Sequence, residues 1–289
     1  MRLPVESWWK RARREERSMS RPMWSVKLIR KGFPYSPLAA RLTRLPVIGR
    51  PLGNMFFKGD DIMLLPRKTV AVGEAVASEP SELLPWQVVE RFIEKAGFLW
   101  VMDECICRRS MGCKDYPVDL GCLFLGEAAR GINPQLGRQV TADEALAHLQ
   151  KCREAGLFHL VGRNRVDAVW LKVKPGERLL TICNCCTCCC LWRILPDLET
   201  GFSSQLTRMP GLEVRVTDAC VGCGTCLEAG CMAKAITVQD SRATISAECR
   251  GCGHCAEVCP EGAIELVMEG GEDFITRAVE RLSGLVDVR

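Results

Sequence analysis

The stretch that decides the C-terminal fold reads C-V-G-C-G-T-C-L-E-A-G-C from Cys220 to Cys231, and then C-R-G-C-G-H-C-A-E-V-C-P from Cys249 to Pro260. In each half, three cysteines are separated by two residues, and a fourth follows a few residues later. A loop of this spacing brings three thiolates to three corners of one small cluster, and its glycines permit the sharp backbone curl. A similar apolar segment follows each run, at 235–238 and 263–266, so the stretch is an internal repeat.

This pattern resembles the ligand runs of bacterial-type two-cluster ferredoxins, in which the fourth cysteine of each run binds the other 4Fe-4S cubane. The resemblance implies two cubanes with crossed ligand sets: Cys220, Cys223, Cys226 and Cys259 for one, and Cys249, Cys252, Cys255 and Cys231 for the other. The first run departs from the family, because four residues precede its last cysteine and Met232 replaces the usual proline. The alternative is a zinc ribbon, since paired C-x2-C motifs also bind zinc, but the duplicated order argues against it.

Nineteen cysteines in 289 residues exceed the needs of an ordinary globular chain. The length suggests about two domains, and the apolar content allows a core. The basic start is not followed by an uninterrupted apolar segment, and no run of about eighteen apolar residues occurs, so we expect neither a signal peptide nor a membrane-spanning helix. We therefore expect a cytoplasmic protein whose reduced thiols bind metals.

Positive charge is concentrated near the N-terminus, and we interpret residues 1–68 as a basic, proline-rich arm. Residues 1–58 contain fourteen Lys and Arg against three Asp and Glu; since the whole chain carries only +4, residues 59–289 carry a net charge of −7. The arm can wrap this acidic remainder of its own chain. The alternatives are an acidic protein or the anionic inner face of a membrane, where interleaved Trp and Lys/Arg suit the headgroup region. A nucleic-acid backbone is the least favoured partner.

The rest of the chain divides by composition into a Cys-rich module over 69–205, a ferredoxin domain over 210–268 and a C-terminal helix within 269–289. Helical periodicity extends over 81–97, and Thr141 with Glu144 forms the capping box of another helix. Four apolar runs are typical of strands: 98–102, 157–161, 166–173 and 178–182. The predicted fold class is α+β, with a Cys-rich mixed module followed by a duplicated ferredoxin-like dicluster domain.

A second group of cysteines lies in the Cys-rich module, and we predict that its members bind metal: Cys105, Cys107, Cys113, Cys122, Cys183, Cys185, Cys186, Cys188, Cys189 and Cys190. The module resembles a family of uncharacterised iron-sulfur proteins from anaerobes. That family shares a C-x-C-R segment, here at 105–108, an E-A-L...G-L-x-H stretch, here within 143–159, and a C-N-C-C-x-C-C-C run, here at 183–190. The resemblance implies iron-sulfur binding and no established activity.

Ten cysteines do not match a whole number of cubanes, because one cubane takes four ligands and two take eight. Neighbours such as Cys185 and Cys186 point in different directions, so they do not readily serve one small tetrahedral site. They can bridge several metals in a non-cubane cluster, or some can be free reactive thiols beside a cluster. Capture of zinc or Cu(I) is a third alternative. We expect at least one further iron-sulfur cluster in this module.

Histidines and arginines also lie near the cysteines, and we do not expect them to bind metal. We expect His148 and His159 to be structural, because the cysteines already suffice as ligands, and His254 to tune the solvation of a ferredoxin cluster. Arg108 and Arg109 follow Cys107 directly and either neutralise a thiolate-rich cluster or belong to the solvated surface.

Two iron-sulfur functions compete, and both involve oxidoreductase chemistry. The leading hypothesis is an electron-transfer protein that relays single electrons between a redox partner protein, two 4Fe-4S clusters and a further metal or thiol centre in the Cys-rich module. The alternative is a reductase whose N-terminal cluster or thiol is the active site and receives electrons from the ferredoxin domain. A redox-sensing DNA-binding regulator is a third hypothesis, and the cysteines at 105–122 would interrupt its winged helix.

Overall fold

The structure is a computed structural model that describes residues 20–66, 70–72, 82–83, 85–268, 273–284 and 286. Its strands are β1 Asp61–Leu65, β2 Val70–Val72, β3 Glu82–Leu83, β4 Leu99–Met102, β5 Leu123–Leu125, β6 Gly137–Gln139, β7 Phe158–Arg163, β8 Leu180–Cys185, β9 Leu206–Arg208, β10 Leu212–Val216, β11 Ile236–Gln239, β12 Arg242–Ile245 and β13 Ile264–Met268. Its α-helices are α1 Met23–Gly32, α2 Ser36–Leu42, α3 Gly49–Phe57, α4 Gln87–Lys95, α5 Ile106–Met111, α6 Ala142–Glu154, α7 Arg165–Leu171, α8 Thr200–Ser203, α9 Thr225–Glu228, α10 His254–Val258 and α11 Asp273–Ser283.

The N-terminal module is built on a seven-stranded sheet in the order β6-β4-β5-β8-β7-β1-β9. Neighbouring strands are antiparallel, except that β1 and β9 are parallel. Apolar side chains cover both faces. One face carries Leu180 and Ile182 of β8 in a core with α4 and α11, and the other carries Cys183 and Cys185 in a core with Trp192. With its helices and sheets, the chain has the α+β fold predicted from the sequence.

The predicted basic arm is largely part of this module. Its first nineteen residues lie outside the described residues, but α1, α2 and α3 bury Val26, Ala40 and Phe57 in the cores of the module. The apolar run from Asp61 to Leu65 forms β1, which lies between β7 and β9. Burial of this apolar run joins residues 61–65, which the sequence analysis placed in the arm, to the sheet of the module.

The C-terminal part is not separate either. Strands β10 and β13 pair antiparallel, and β2 and β3, from the first third of the chain, extend the same sheet through β13. The last helix, α11, packs Ala278 and Leu282 against Val89 and Phe92 of α4. The predicted terminal helix thus completes the core of the N-terminal module.

Two further local predictions have opposite outcomes. The capping box at the start of α6 is confirmed, because Glu144 N donates to Thr141 Oγ1 and Thr141 N donates to Glu144 Oε2. The strand predicted at 166–173 is wrong, since Arg165–Leu171 is the helix α7. Its β-branched residues favoured a strand, but Trp170 Nε1 donates to Asp167 Oδ1 over 2.8 Å, a bond across one helical turn.

Candidate metal centres

The eight cysteines of the C-terminal runs lie around two separate cavities. One is lined by Cys220, Cys223, Cys226 and Cys259, and the other by Cys231, Cys249, Cys252 and Cys255. In each set, three cysteines come from one run and the fourth comes from the other run. These are the same crossed sets that the ferredoxin resemblance implies, and their role as ligands stays a prediction.

Backbone amides point at sulfur atoms in both sets. Ala243 N and Ala263 N donate to the Sγ atoms of Cys220 and Cys259 over 3.4 and 3.3 Å. Ala235 N and Gly251 N donate to Cys231 and Cys249, each over 3.4 Å. Such N–H···S bonds stabilise negative charge on sulfur, so these residues fit the thiolates of a 4Fe-4S cluster.

One loop glycine shows how closely the chain is folded around these sulfurs. Gly222 has a φ of 69°, and a Cβ at this position would lie 2.4 Å from the backbone of Ser241. Only glycine meets both conditions without strain. The turn between the first two cysteines of the run therefore depends on this residue.

The protonation states of the cysteines in these cavities favour a bound metal. Burial raises the pKa of the Cys252 and Cys255 thiols to about 12, whereas a hydrogen bond from Thr225 lowers the pKa of the exposed Cys223. Buried thiols are therefore neutral at pH 7 unless a cation compensates the thiolate. Bound iron supplies that compensation, and the donor set of four thiols per cavity suits a cubane.

The ten cysteines of the N-terminal module divide into two groups. The first is a four-cysteine group whose Sγ atoms all lie within 4.8 Å of one another: Cys113, Cys186, Cys188 and Cys189. Four thiols at this spacing match the ligand number and the compact geometry of a tetrahedral metal ion. Lone Cys152 packs beside this group in a small core with Leu157 and is hydrogen-bonded to His148.

The second is a six-cysteine group that lines a cavity of about 120 Å³: Cys105, Cys107, Cys122, Cys183, Cys185 and Cys190. The alternation of β8 explains why neighbouring cysteines separate. Cys183 and Cys185 face the cavity, while Asn184 points to the other side of the sheet. Cys186 follows directly after the strand and joins the four-cysteine group, although it also borders the cavity.

Arg108 lies fully buried between the two groups, with a relative exposure of 0%. Its guanidinium donates to the carbonyl oxygens of Pro117, over 2.7 Å, of Asn184, over 2.8 Å, and of Leu120. Although burial alone would lower it, the pKa of Arg108 is raised by the nearby cysteine thiolates. Of the two interpretations made from the sequence, Arg108 therefore fits the compensating charge, whereas Arg109 pairs with Glu104 at the surface.

Asn184 is a residue that the sequence analysis missed. It is buried between Cys183 and Cys185, its Nδ2 donates to Gly121 O over 2.7 Å, and its Oδ1 lies 2.8 Å from His159 Nδ1. Burial lowers the pKa of His159 to about 4, so the ring is neutral and its Nδ1–H donates to Asn184. The bonds fix the strand that presents both cysteines. The sequence signal for this role is a single polar residue between two cysteines, C-N-C at 183–185.

The two histidines of the module behave as structural residues in this network. His148 Nε2 lies 2.9 Å from Gly121 O, and burial lowers the pKa of His148. In the C-terminal part, His254 borders the cavity of Cys231 and its Nδ1 lies 3.2 Å from Glu257.

The four-cysteine group is connected to the ferredoxin part through Thr187. This residue stands between Cys186 and Cys188 and lines the cavity that contains Cys231. A Cβ on Gly230 would lie 3.7 Å from the Thr187 side chain. Thr187 and the loop before Cys231 therefore border the same cavity and lie close to each other.

Comparison with known proteins identifies the C-terminal part alone. No curated protein and no solved structure matches the chain. Within the described parts of the chain, no helix is both long and apolar enough to cross a bilayer. Residues 219–264 match the family described as the 4Fe-4S dicluster domain, and this match supports iron-sulfur clusters in this part of the chain.

Proposed function

We propose that the protein relays single electrons from a redox partner protein, through two 4Fe-4S clusters, to a metal-thiolate centre in its N-terminal module. The observation that supports this most strongly is that Thr187, between two members of the four-cysteine group, lines the same cavity as Gly230 and Cys231. It brings the four-cysteine group next to one dicluster cavity, so a chain of redox centres runs across the interface of the two parts.

The order of the two clusters along the path follows from how exposed their cysteines are. Cys223, in the cavity with Cys220, is exposed, whereas Cys252 of the other cavity is half-buried beside the core that contains Met232. We infer that electrons enter or leave at the cluster of Cys223 and pass through the cluster of Cys252. When bound, each cluster supplies one-electron redox chemistry, and the protein sets its potential through burial and the N–H···S bonds.

Metal content is the first test. Anaerobically purified full chain should contain about eight irons for the dicluster domain and about twelve or more if the N-terminal module also binds a cluster. A content of about eight irons, with zinc or copper in addition, would mean that the N-terminal thiols bind another metal. A content far below eight irons would contradict the presence of the two 4Fe-4S clusters on which the proposal depends.

The relay itself is tested with a Cys252→Ala variant. A reduced protein donor, too large to enter the module, should still reduce the outer cluster of Cys223 but no longer the N-terminal centre, as followed by EPR. A small reductant should reduce both. Val47→Ala, which alters an exposed residue of the turn over 45–48, is the control. Undiminished reduction of the N-terminal centre by the protein donor in Cys252→Ala would refute the relay.

A reductase is the second candidate, because the cavity of about 120 Å³ beside six thiols leaves space for a small substrate. In that case the N-terminal centre is the active site and the dicluster domain supplies its electrons. An exogenous ligand such as cyanide should then change the EPR signal of the N-terminal centre. An unchanged signal favours the relay alone.

A further inference from the structure

The six-cysteine group is assembled from distant parts of the chain. Cys105 and Cys107 come from the start of α5, Cys122 precedes β5, and Cys183 and Cys185 belong to β8. Cys190 precedes the 3-10 helix over 191–197. All six converge on one cavity, whose other walls are mainly apolar and include Phe33 and Trp192. Six scattered cysteines used only as small apolar residues would have no reason to meet at one cavity.

The thiols also contact one another. The Sγ atoms of Cys185 and Cys190 lie 3.1 Å apart. The thiols of Cys105 and Cys107 lie close enough to shift each other's pKa, and those of Cys122 and Cys183 do the same. Cys183 is in turn close to Cys185, so four of the six form one continuous row. A single tetrahedral ion takes four ligands, and a cubane offers four iron corners; the group exceeds both.

The type of ligand points to iron-sulfur chemistry. Six thiols and one basic residue, Arg108, line the cavity. Soft thiolate ligands select iron-sulfur clusters among the common biological metals, and several metal ions with bridging sulfide would use all six thiols.

We propose that the six-cysteine group binds a polynuclear iron-sulfur centre with more than four cysteine ligands, separate from the metal of the four-cysteine group. The inference rests on the proposed function only for the source of the electrons. Binding itself depends on the six thiols and on the buried Arg108. The module then has two centres, and the one beside Thr187 lies nearer the dicluster domain.

The test uses six single Cys→Ser variants of the full chain, one for each cysteine of the group, enriched in ⁵⁷Fe and purified anaerobically. Each variant should change the Mössbauer spectrum of the same N-terminal component, while the signals of the dicluster domain persist. Cys188→Ser, which alters the four-cysteine group, should leave this component in place. Val47→Ser, at an exposed residue of the turn over 45–48, should leave every component unchanged.

The alternatives give different results. If two of the six variants have the wild-type spectrum, the centre is a four-ligand cubane and the proposal is wrong in its ligand number. If all six do, the cavity binds no iron. Native mass spectrometry of the unaltered protein does not depend on variants that fold: a mass that accounts for the two clusters of the dicluster domain alone, or for these clusters with only zinc or copper in addition, refutes an iron-sulfur centre at the six thiols. Loss of the dicluster signals in unaltered protein would defeat the proposed function without deciding this inference.

A second inference starts from the surface of α1, α2 and α3. Of the twelve large apolar side chains that are exposed in the described residues, nine lie in this segment: Trp24, Leu28, Tyr35, Leu38, Leu42, Leu45, Val47, Ile48 and Met55. Trp24 is 70% and Val47 83% exposed. Such a concentration marks an interaction site, since single exposed apolar residues are normally scattered.

The same segment is strongly basic. Residues 20–58 contain eight Lys and Arg and no Asp or Glu. Lys27, Lys31 and Arg50 are exposed among the apolar side chains, while Val26 and Phe57 on the inner sides of their helices fix the segment to the core. The exposed face therefore combines apolar insertion with positive charge.

We propose that this face binds the surface of an anionic lipid bilayer, with its helices in the interfacial plane. Tryptophan and tyrosine rings favour the headgroup region, and Lys and Arg attract anionic lipids. The apolar residues project from three helices and from the turn over 45–48, which suits a fluid surface better than one fixed protein groove.

Co-sedimentation of the full chain with vesicles tests this proposal. The protein should pellet with vesicles that contain phosphatidylglycerol and much less with phosphatidylcholine alone. The double variant Lys27→Glu, Lys31→Glu should weaken binding at least about tenfold, because each basic residue near the surface contributes about 1 kcal/mol. Leu227→Ser, an exposed apolar residue of the dicluster domain, is the control. Absence of pelleting with anionic vesicles refutes the proposal, and equal retention by an acidic polypeptide would indicate a protein partner instead.

Discussion

Replacement of Arg108 by methionine tests whether one buried cation holds the N-terminal centres together. The side chain is fully buried, and its three hydrogen bonds join α5 to the segment over 117–120 and to β8. Methionine fills a similar volume but donates no hydrogen bond. Three carbonyl oxygens then lose their donor inside the protein.

The size of the effect follows from these contacts. A hydrogen bond from a charged donor contributes about 1.5–3 kcal/mol, and removing one partner of a buried charged network costs about 3–5 kcal/mol. Because the three bonds share one side chain, their energies do not simply add. We expect a loss of about 4 kcal/mol, which lowers the melting temperature by roughly 8–16 °C for a module of this size.

The assay is anaerobic thermal unfolding by circular dichroism, together with iron content. The Arg108→Met variant should lose N-terminal iron and keep the EPR signals of the dicluster domain. Arg109→Met is the matched control, because Arg109 is the next residue on α5 but is exposed and pairs with Glu104. Arg108→Lys keeps the charge without the planar fork and should be intermediate. An Arg108→Met protein with wild-type melting temperature and iron content would refute the reasoning.

Two other substitutions give sharp outcomes. Gly53→Ala should destabilise the protein by about 1–3 kcal/mol, because the new Cβ would lie 2.0 Å from the ring of Phe202. Gly32→Ala, with no atom within 4 Å of the new Cβ, should be neutral or stabilising; equal melting temperatures would contradict this. Burial raises the pKa of Asp60 to about 7, so the folded state holds a proton that the unfolded state releases above about pH 4. Stability should therefore decline as the pH rises from 5 to 7 and level off above 7. Asp60→Asn should remove the part of the decline between about pH 6 and 7 in pH-dependent melting, whereas Asp167, whose pKa burial raises to about 6, still contributes at lower pH. An unchanged decline between about pH 6 and 7 would assign it to another group.

The local patterns of the sequence predicted some elements well. The ferredoxin repeat, the capping box of α6 and the amphipathic C-terminal helix all depend on spacing within a few residues. The resemblance to two-cluster ferredoxins predicted that Cys231 and Cys259 each join the three cysteines of the other run. The structure brings the same sets together, and whether they bind iron stays a prediction.

Other features depend on contacts between distant segments. The run over 61–65 was assigned to the arm because neighbouring charge and prolines dominated its surroundings, although its unbroken apolar letters are typical of a buried strand. The division of the ten cysteines depends on where β8 ends, which decides that Cys185 and Cys186 face different sites. Nothing in the sequence marks that point except the polar Asn184.

The packing of α11 on α4 has a consequence for how the protein is made. A ribosome synthesises α4 early, but the helix that completes its apolar core comes after both C-terminal cysteine runs. All eighteen cysteines of the four sets have therefore been synthesised before the first core can close. The complete N-terminal module therefore forms only after the C-terminal helix has been synthesised, unlike two domains that fold one after the other. The cores that contain the N-terminal cysteines include no described side chain of α11, so the metal sites and the core of α4 are completed by different parts of the chain.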